Sequence, residues 1–254
     1  MNKHSLTLAY GGLMAALTFI STSILAFPVA FTNGYIHLGD GFVLSCGVVL
    51  GKKYGALAAG IGSALADIYL GYASWAIPTF IIKASMAYLV GYIYEDLTNK
   101  GKLYRLVSAF TLLWVGFIVI ISRIISNGHN VVASSKLLLA DGLISDLSEL
   151  EPRTSFTTTA LIAALIIIPI LYLAIYLLVR NNDANAAFLN KFIAFLIAGT
   201  MMIILYYATY GLMYGNWTVP IFSVPSNLIQ YIVGIIIATS LLPITLRFKE
   251  QLAN

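Results

Sequence analysis

The chain has 254 residues, of which 60% are hydrophobic and only 9% charged, with a net charge of +4 and mean hydropathy of +0.91. Soluble domains carry about 25% charged residues, so this is the composition of an integral membrane protein whose length is used up by spans and short loops, and it excludes a separate soluble catalytic domain. The basic residues are spread thinly at segment ends, which sets topology and does not point to nucleic acid; the single cysteine, Cys46, cannot form an internal disulfide, and no Cys/His cluster implies a metal or other cofactor.

Eight apolar segments are expected, near Leu6–Phe27, His37–Leu50, Tyr54–Leu70, Ile77–Tyr94, Arg105–Ile125, Thr157–Val179, Leu189–Tyr214 and Val224–Leu246. The first exceeds the 7–15 residues of a signal-peptide core, and no small-residue cleavage site follows it, so it reads as a retained first helix. It carries Gly11, Gly12, Ala15 and Ala16, two small-xxx-small pairs that let another helix approach closely, either in this chain or in a partner. The second and third segments are shorter than the roughly 17–25 residues of a full span. They are joined by Gly51-Lys52-Lys53-Tyr54-Gly55 and are expected to be short or tilted helices inside the bundle.

In the third segment Ala56, Gly60 and Ala64 fall at i+4 steps, and Asp67 lies three residues on, so Asp67 is expected to point inward. With the N-terminus inside, eight crossings return the C-terminus inside. The inner ends then hold Lys3, Lys52, Lys53, Lys100, Lys102, Arg105, Arg180, Lys191, Arg247 and Lys249. That bias supports an N-in, C-in arrangement. It places the acidic loop 126–156 outside, along with Trp75 and Trp217.

Asp40, Asp67 and Lys83 interrupt segments otherwise suited to lipid. A charge at the centre of a membrane helix costs roughly 2.5–3.5 kcal/mol on insertion scales, and such residues usually mark a functional site. Helix rise places Asp40 roughly 6 Å below Ile36, Asp67 about 7 Å below Tyr72 and Lys83 roughly 9 Å below Ile77. All three fall in the outer half of the membrane on consecutive helices, so one outward-opening polar pocket is expected. The alternative is an Asp67–Lys83 ion pair that only locks the fold.

In the last segment Asn227, Gln230 and Gly234 share a face by i, i+3, i+7 spacing, and two amides suit a polar heteroaromatic ring. Tyr207, Tyr210 and Tyr214 could stack on such a ligand or form an interfacial belt. His37 and Tyr35 precede Asp40 at the expected mouth. No GxxxxGK[ST] loop or GxSxG elbow is present. An intramembrane aspartyl dyad of Asp40 and Asp67 is disfavoured because Lys83 would oppose proton sharing. A secondary transporter is the more serious rival, although no internal repeat supports it.

The run from Asn33 to Ala84 resembles the substrate-binding S components of energy-coupling factor (ECF) vitamin transporters. It is most similar to the riboflavin-type family, which includes pyridoxine and hydroxymethylpyrimidine carriers. The features that carry the likeness are Leu38-Gly39-Asp40, Gly62-Ser63-Ala64-Leu65-Ala66-Asp67, Trp75 through Pro78 and Ile82-Lys83, together with the C-terminal run VPSNLIQYIVGIIIATSLL. The resemblance implies an all-α integral membrane fold with a six-helix S-component core in a bacterial cytoplasmic membrane, and no enzymatic activity.

It also implies a small water-soluble vitamin or precursor bound near the outer face: pyridoxine-like, pyrimidine-like or riboflavin-like. The substrate-binding residues would be Asp40, Asp67, Lys83, Asn227, Gln230, Trp75, His37 and Tyr210. Gly12, Ala16, Gly11 and Ala15 would face an ECF transmembrane coupling subunit that works with two cytoplasmic ATPases. Six core helices map to residues 1–104 and 181–254. Residues 105–180 are then an inserted helix pair, and Ser135–Leu150 could form a short amphipathic helix that lids the pocket; the other reading is peripheral helices that touch lipid or another protein. A stand-alone secondary transporter of a small polar metabolite is the alternative.

Overall fold

The computed structural model describes residues 3–29, 34–95, 100–126, 146, 148, 150–181 and 183–253. The chain folds as an all-α membrane protein, and its described residues form seven α-helices: α1 (Lys3–Ile24), α2 (Asp40–Tyr69), α3 (Ala76–Glu95), α4 (Lys100–Ser126), α5 (Leu150–Asn181), α6 (Asp183–Tyr214) and α7 (Val224–Ala253). Each is long and apolar enough to cross a membrane. Between α1 and α2 lies a short antiparallel hairpin, β1 (Ala26–Val29) with β2 (Gly34–His37), in the register Ala26↔His37 and Phe27↔Ile36.

The second and third expected segments together make up α2, which is broken at Gly51. A 27-residue rise would separate Asp40 from Asp67 by about 40 Å, yet both belong to one site, described below. The chain reverses at Gly51, whose φ of 70° and ψ of −173° are non-helical. This region of backbone space is essentially reserved for glycine. After the reversal, Gly55 returns onto the first limb so closely that a Cβ there would meet the Cys46 carbonyl oxygen at 2.5 Å. The Gly51–Gly55 linker thus makes α2 two short limbs, as the sequence suggests. The first limb starts three residues later than expected: His37 lies in β2, and Asp40 opens α2.

The second limb of α2 buries Gly55, Ala58, Ala59, Gly62, Ser63, Ala66 and Asp67, so Asp67 points inward as the small-residue spacing predicts. A Cβ on Gly62 would touch Thr18 of α1, and one on Gly60 would touch the Phe80 ring of α3 at 2.8 Å. Small residues therefore let three helices pack at backbone distance, the main source of cohesion where lipid removes any hydrophobic drive between helices. On α1 the small face is divided. Ala15 packs toward α2, while Gly12 and Ala16 face outward, and a Cβ added at Gly11 or Gly12 meets nothing within 4 Å.

Helices α4 and α5 lie at the flank, against α6. Trp114 donates its Nε1–H to the Ala164 carbonyl at 3.0 Å, joining α4 to α5, and the Tyr172 and Thr200 hydroxyls pair at 3.1 Å, joining α5 to α6. Their outer faces present Leu112, Leu113, Ile120, Ile162, Ile166 and Ile170, the apolar surface that lipid requires. The expected lid, Ser135–Leu150, falls almost entirely outside the described residues.

The end of the bundle containing Gly51 is fastened by polar contacts. The Lys52 backbone N–H reaches Glu95 Oε2 at 3.3 Å, Tyr10 donates to Gln251 at 2.5 Å, and Lys249 lies over the Tyr94 ring at 5.5 Å.

Gly51→Ala is expected to destabilise the protein by at least 1–3 kcal/mol, since it forces an L side chain into a glycine-only conformation against Glu95. Thermal unfolding in detergent measures this, and a melting temperature unchanged from wild type would contradict the reversal.

Candidate functional site

At the end of the bundle opposite Gly51, a two-layered polar site lies under the β-hairpin. Its lower layer is an ion pair. Lys83 of α3 is completely buried and donates to Asp40 Oδ1 at the start of α2. Gln230 of α7 donates to Asp40 Oδ2 at 2.8 Å, and the thioether of Met202 on α6 lies 3.4 Å from Lys83 Nζ. The Tyr206 ring covers the ammonium, with its centroid 5.2 Å away. Four helices thus meet at one charge pair. Gly234 makes room for it, since a Cβ there would sit 2.8 Å from Asp40 Cβ. The alternative reading, an Asp67–Lys83 ion pair, is not what forms: Asp40 takes the lysine because it opens the first limb of α2 facing α3.

The upper layer is a cavity lined by Tyr35 and His37 from β2, Asp67 near the end of α2, Tyr72 and Trp75 in the connection that follows, and Thr79 in the first turn of α3. Tyr206 and Tyr210 of α6 and Ser223, Asn227 and Gln230 at the start of α7 close it. Strand alternation puts Tyr35 and His37 on one face and Ile36 on the other. Tyr35 donates to Asp67 Oδ1 at 2.6 Å, and the Gln230 amide oxygen accepts the His37 backbone N–H at 3.0 Å. The hairpin is therefore pinned to the helices by two residues of the cavity. Tyr206 donates to Thr79 Oγ1 at 3.3 Å. Trp75 packs against Tyr206, Tyr210 and Tyr214 at centroid distances of 6.0, 6.2 and 6.3 Å, and Tyr35 against Tyr72 at 4.8 Å.

Six of the eight expected substrate-binding residues line this cavity: His37, Asp67, Trp75, Tyr210, Asn227 and Gln230. Asp40 and Lys83 lie beneath it and reach it through Gln230. The sequence reading missed Tyr72, Thr79, Tyr206 and Ser223. Tyr206 had a signal, because Tyr206 and Tyr210 are spaced i, i+4 and share a helix face. Tyr207 faces elsewhere, packing on Phe117 at 5.2 Å and donating to the Trp217 carbonyl at 2.8 Å.

His37 is neutral. Burial, and then the nearby Lys83 charge, lower its pKa from about 6.5 to about 3, against a smaller opposing effect of Asp40. Its Nδ1 accepts the Gly39 N–H at 3.0 Å, as only a neutral imidazole can. Burial, and then the Asp67 carboxylate, push the Tyr35 phenol far above its ordinary range, so it remains a donor.

The described residues thus form a multi-pass helical membrane protein with a polar, aromatic-walled cavity at one end of its bundle. The chain belongs to the ECF-type riboflavin transporter S component family, whose model matches residues 2–146, a stretch that includes α4. A curated protein of Pyrococcus woesei, described as an uncharacterized protein in gap 3'region, is 36% identical over 84 residues, covering 33% of this chain and 56% of that protein. The chain thus spans little more than half the length of the curated relative it matches. No solved structure matches.

Two predictions follow from the layered geometry. Asp40→Asn or Lys83→Met alone is expected to cost about 3–5 kcal/mol, because each strands a buried partner, while the double variant costs much less. A double-mutant cycle on thermal unfolding tests this, and additive losses would refute the coupling. His37 is protonated more readily in the unfolded chain than in the folded one. Stability is therefore full above pH 6.5 and falls as pH drops toward 3, by about 2 kcal/mol at pH 5. His37→Gln should flatten that part of the pH–stability curve.

Proposed function

We propose that the protein is the substrate-binding S component of an ECF transporter, capturing a small water-soluble vitamin or vitamin precursor for uptake. The observation that carries this reading is the cavity under the β-hairpin, with amides and a carboxylate between aromatic walls. Pockets of this kind orient a small ring through a few polar groups and grip its faces with apolar ones. Family membership supports the same reading and supplies the ligand candidates: a pyridoxine-like, pyrimidine-like or riboflavin-like molecule. No reaction is required of the chain. Lys52, Lys53 and Lys249 lie toward the Gly51 end, so the positive-inside rule puts that end in the cytoplasm and the cavity mouth outside.

In this reading a transmembrane coupling subunit and two cytoplasmic ATPases supply the energy. The outward Gly12–Ala16 face of α1 is the docking strip for the coupling subunit, with Gly11 and Ala15 at its edge. The core comprises residues 1–104 and 181–254, and the flanking pair α4 and α5 is an addition to it.

Mass spectrometry of ligand released from the purified protein identifies the substrate, and uptake of that substrate is then measured in cells or proteoliposomes. Uptake is expected to require the ATPase partners. Gly12→Leu should abolish uptake while leaving binding intact, because position 12 has open space around it. Uptake that persists without any ATPase would overturn the reading in favour of a stand-alone secondary transporter.

A further inference from the structure

The lower layer of the site is saturated, and the upper layer is not. Lys83, Asp40 and Gln230 satisfy one another. Above them Asp67 is 2% exposed. Its Oδ1 accepts from Tyr35, and the Thr79 hydroxyl lies beside the carboxylate, but Oδ2 is buried without a hydrogen-bond partner among the described residues. Trp75, at 8% exposure, likewise has its Nε1–H buried without an acceptor. Both residues line the cavity. A buried carboxylate oxygen without a donor is costly, and the cost is greatest for a charge with no counter-ion. Lys83 acts on Asp67 only through space, because its ammonium is bonded to Asp40.

The walls add a second, independent constraint. Tyr35, Tyr72, Trp75, Tyr206 and Tyr210 line the same cavity as the carboxylate, and aromatic ring faces attract cations. The cavity offers about 60 Å³ to the centres of water-sized atoms, where one water needs about 10–15 Å³. That is room for a single ring with short substituents.

We propose that the cavity takes a planar, single-ring nitrogen heterocycle carrying positive charge, with an N–H directed at Asp67 Oδ2 and an acceptor substituent facing the Trp75 Nε1–H. Charge and hydrogen bonding then close together: the ligand supplies the counter-ion that Asp67 lacks, and its faces lie against the tyrosine and tryptophan rings. An anionic ring would be repelled by the same carboxylate. A neutral ring would leave the charge uncompensated. This inference rests on the cavity being the substrate site, but it does not depend on ATPase coupling.

The test compares 4-aminopyridine, a planar ring cation at neutral pH, with aniline, its neutral isostere, by equilibrium dialysis and tryptophan fluorescence on the purified full-length protein. Wild type is expected to bind the cation at least tenfold more tightly than aniline. Asp67→Asn should abolish the preference and Asp67→Glu should retain part of it, with melting temperature and gel filtration verifying that each variant is folded. Equal affinities in wild type, a preference for aniline, failure of 4-aminopyridine to bind at millimolar concentration, or a cation preference that survives in Asp67→Asn would overturn the proposal. The wild-type comparison decides the matter even where a variant does not fold. Loss of ATPase-dependent uptake would overturn the transport reading alone and leave the probe preference standing.

Discussion

Lys83 sits in the interior of the bundle with no exposed surface, and Asp40 is what makes that position tenable. An isolated buried ammonium would be far too costly to keep charged. A buried pair is tolerable only when its remaining hydrogen-bonding capacity is also met, and here Gln230 meets it from α7. The consequence is geometric. Asp40 belongs to the first limb of α2, Lys83 to α3 and Gln230 to α7, so satisfying one charge pair fixes the relative depth of three helices. Everything above the pair inherits that alignment, including the cavity floor and the attachment point of the β-hairpin.

The reversal at Gly51 is the second requirement. Without it, Asp67 would lie far from Asp40 along a single straight helix. With it, one carboxylate is used to hold the fold and the other lines the cavity. The two roles separate because the limbs differ in length: Asp40 is 11 residues from Gly51 and Asp67 is 16 residues from it. At about 1.5 Å per residue, Asp67 stands several ångströms nearer the open end. The site is layered because the limbs are unequal.

Much of this was legible in the sequence. Charges within apolar runs located the site, because lipid permits few of them. Counting helix rise placed Asp40, Asp67 and Lys83 toward one end, and the i, i+3, i+7 spacing of Asn227, Gln230 and Gly234 gave the correct face of α7. Depth along an axis could not single out Asp40 as the partner of Lys83, because it says nothing about which helix faces which. The hairpin was illegible for another reason: Ala26–Val29 and Gly34–His37 are four-residue strands adjoining long apolar helices, too short to announce a period of two. Tyr206 was overlooked beside Tyr207, although their helical phases point them to different partners. Such a distinction needs a fixed reference face, which only the packed bundle supplies.

Gln230 ties these levels together. Its Nε2 donates to Asp40 in the ion pair, its Oε1 holds the His37 N–H of the hairpin, and its side chain forms part of the cavity wall. A glutamine can do this because it carries a donor and an acceptor at opposite corners of one rigid amide. A glutamate would place a second negative charge against Asp40, and a leucine would leave both Asp40 Oδ2 and the hairpin N–H without partners. The residue that completes the buried pair is also the one that seats the cover over the cavity. Charge burial, cover position and cavity shape therefore depend on the same side chain, and none of them can change without disturbing the other two.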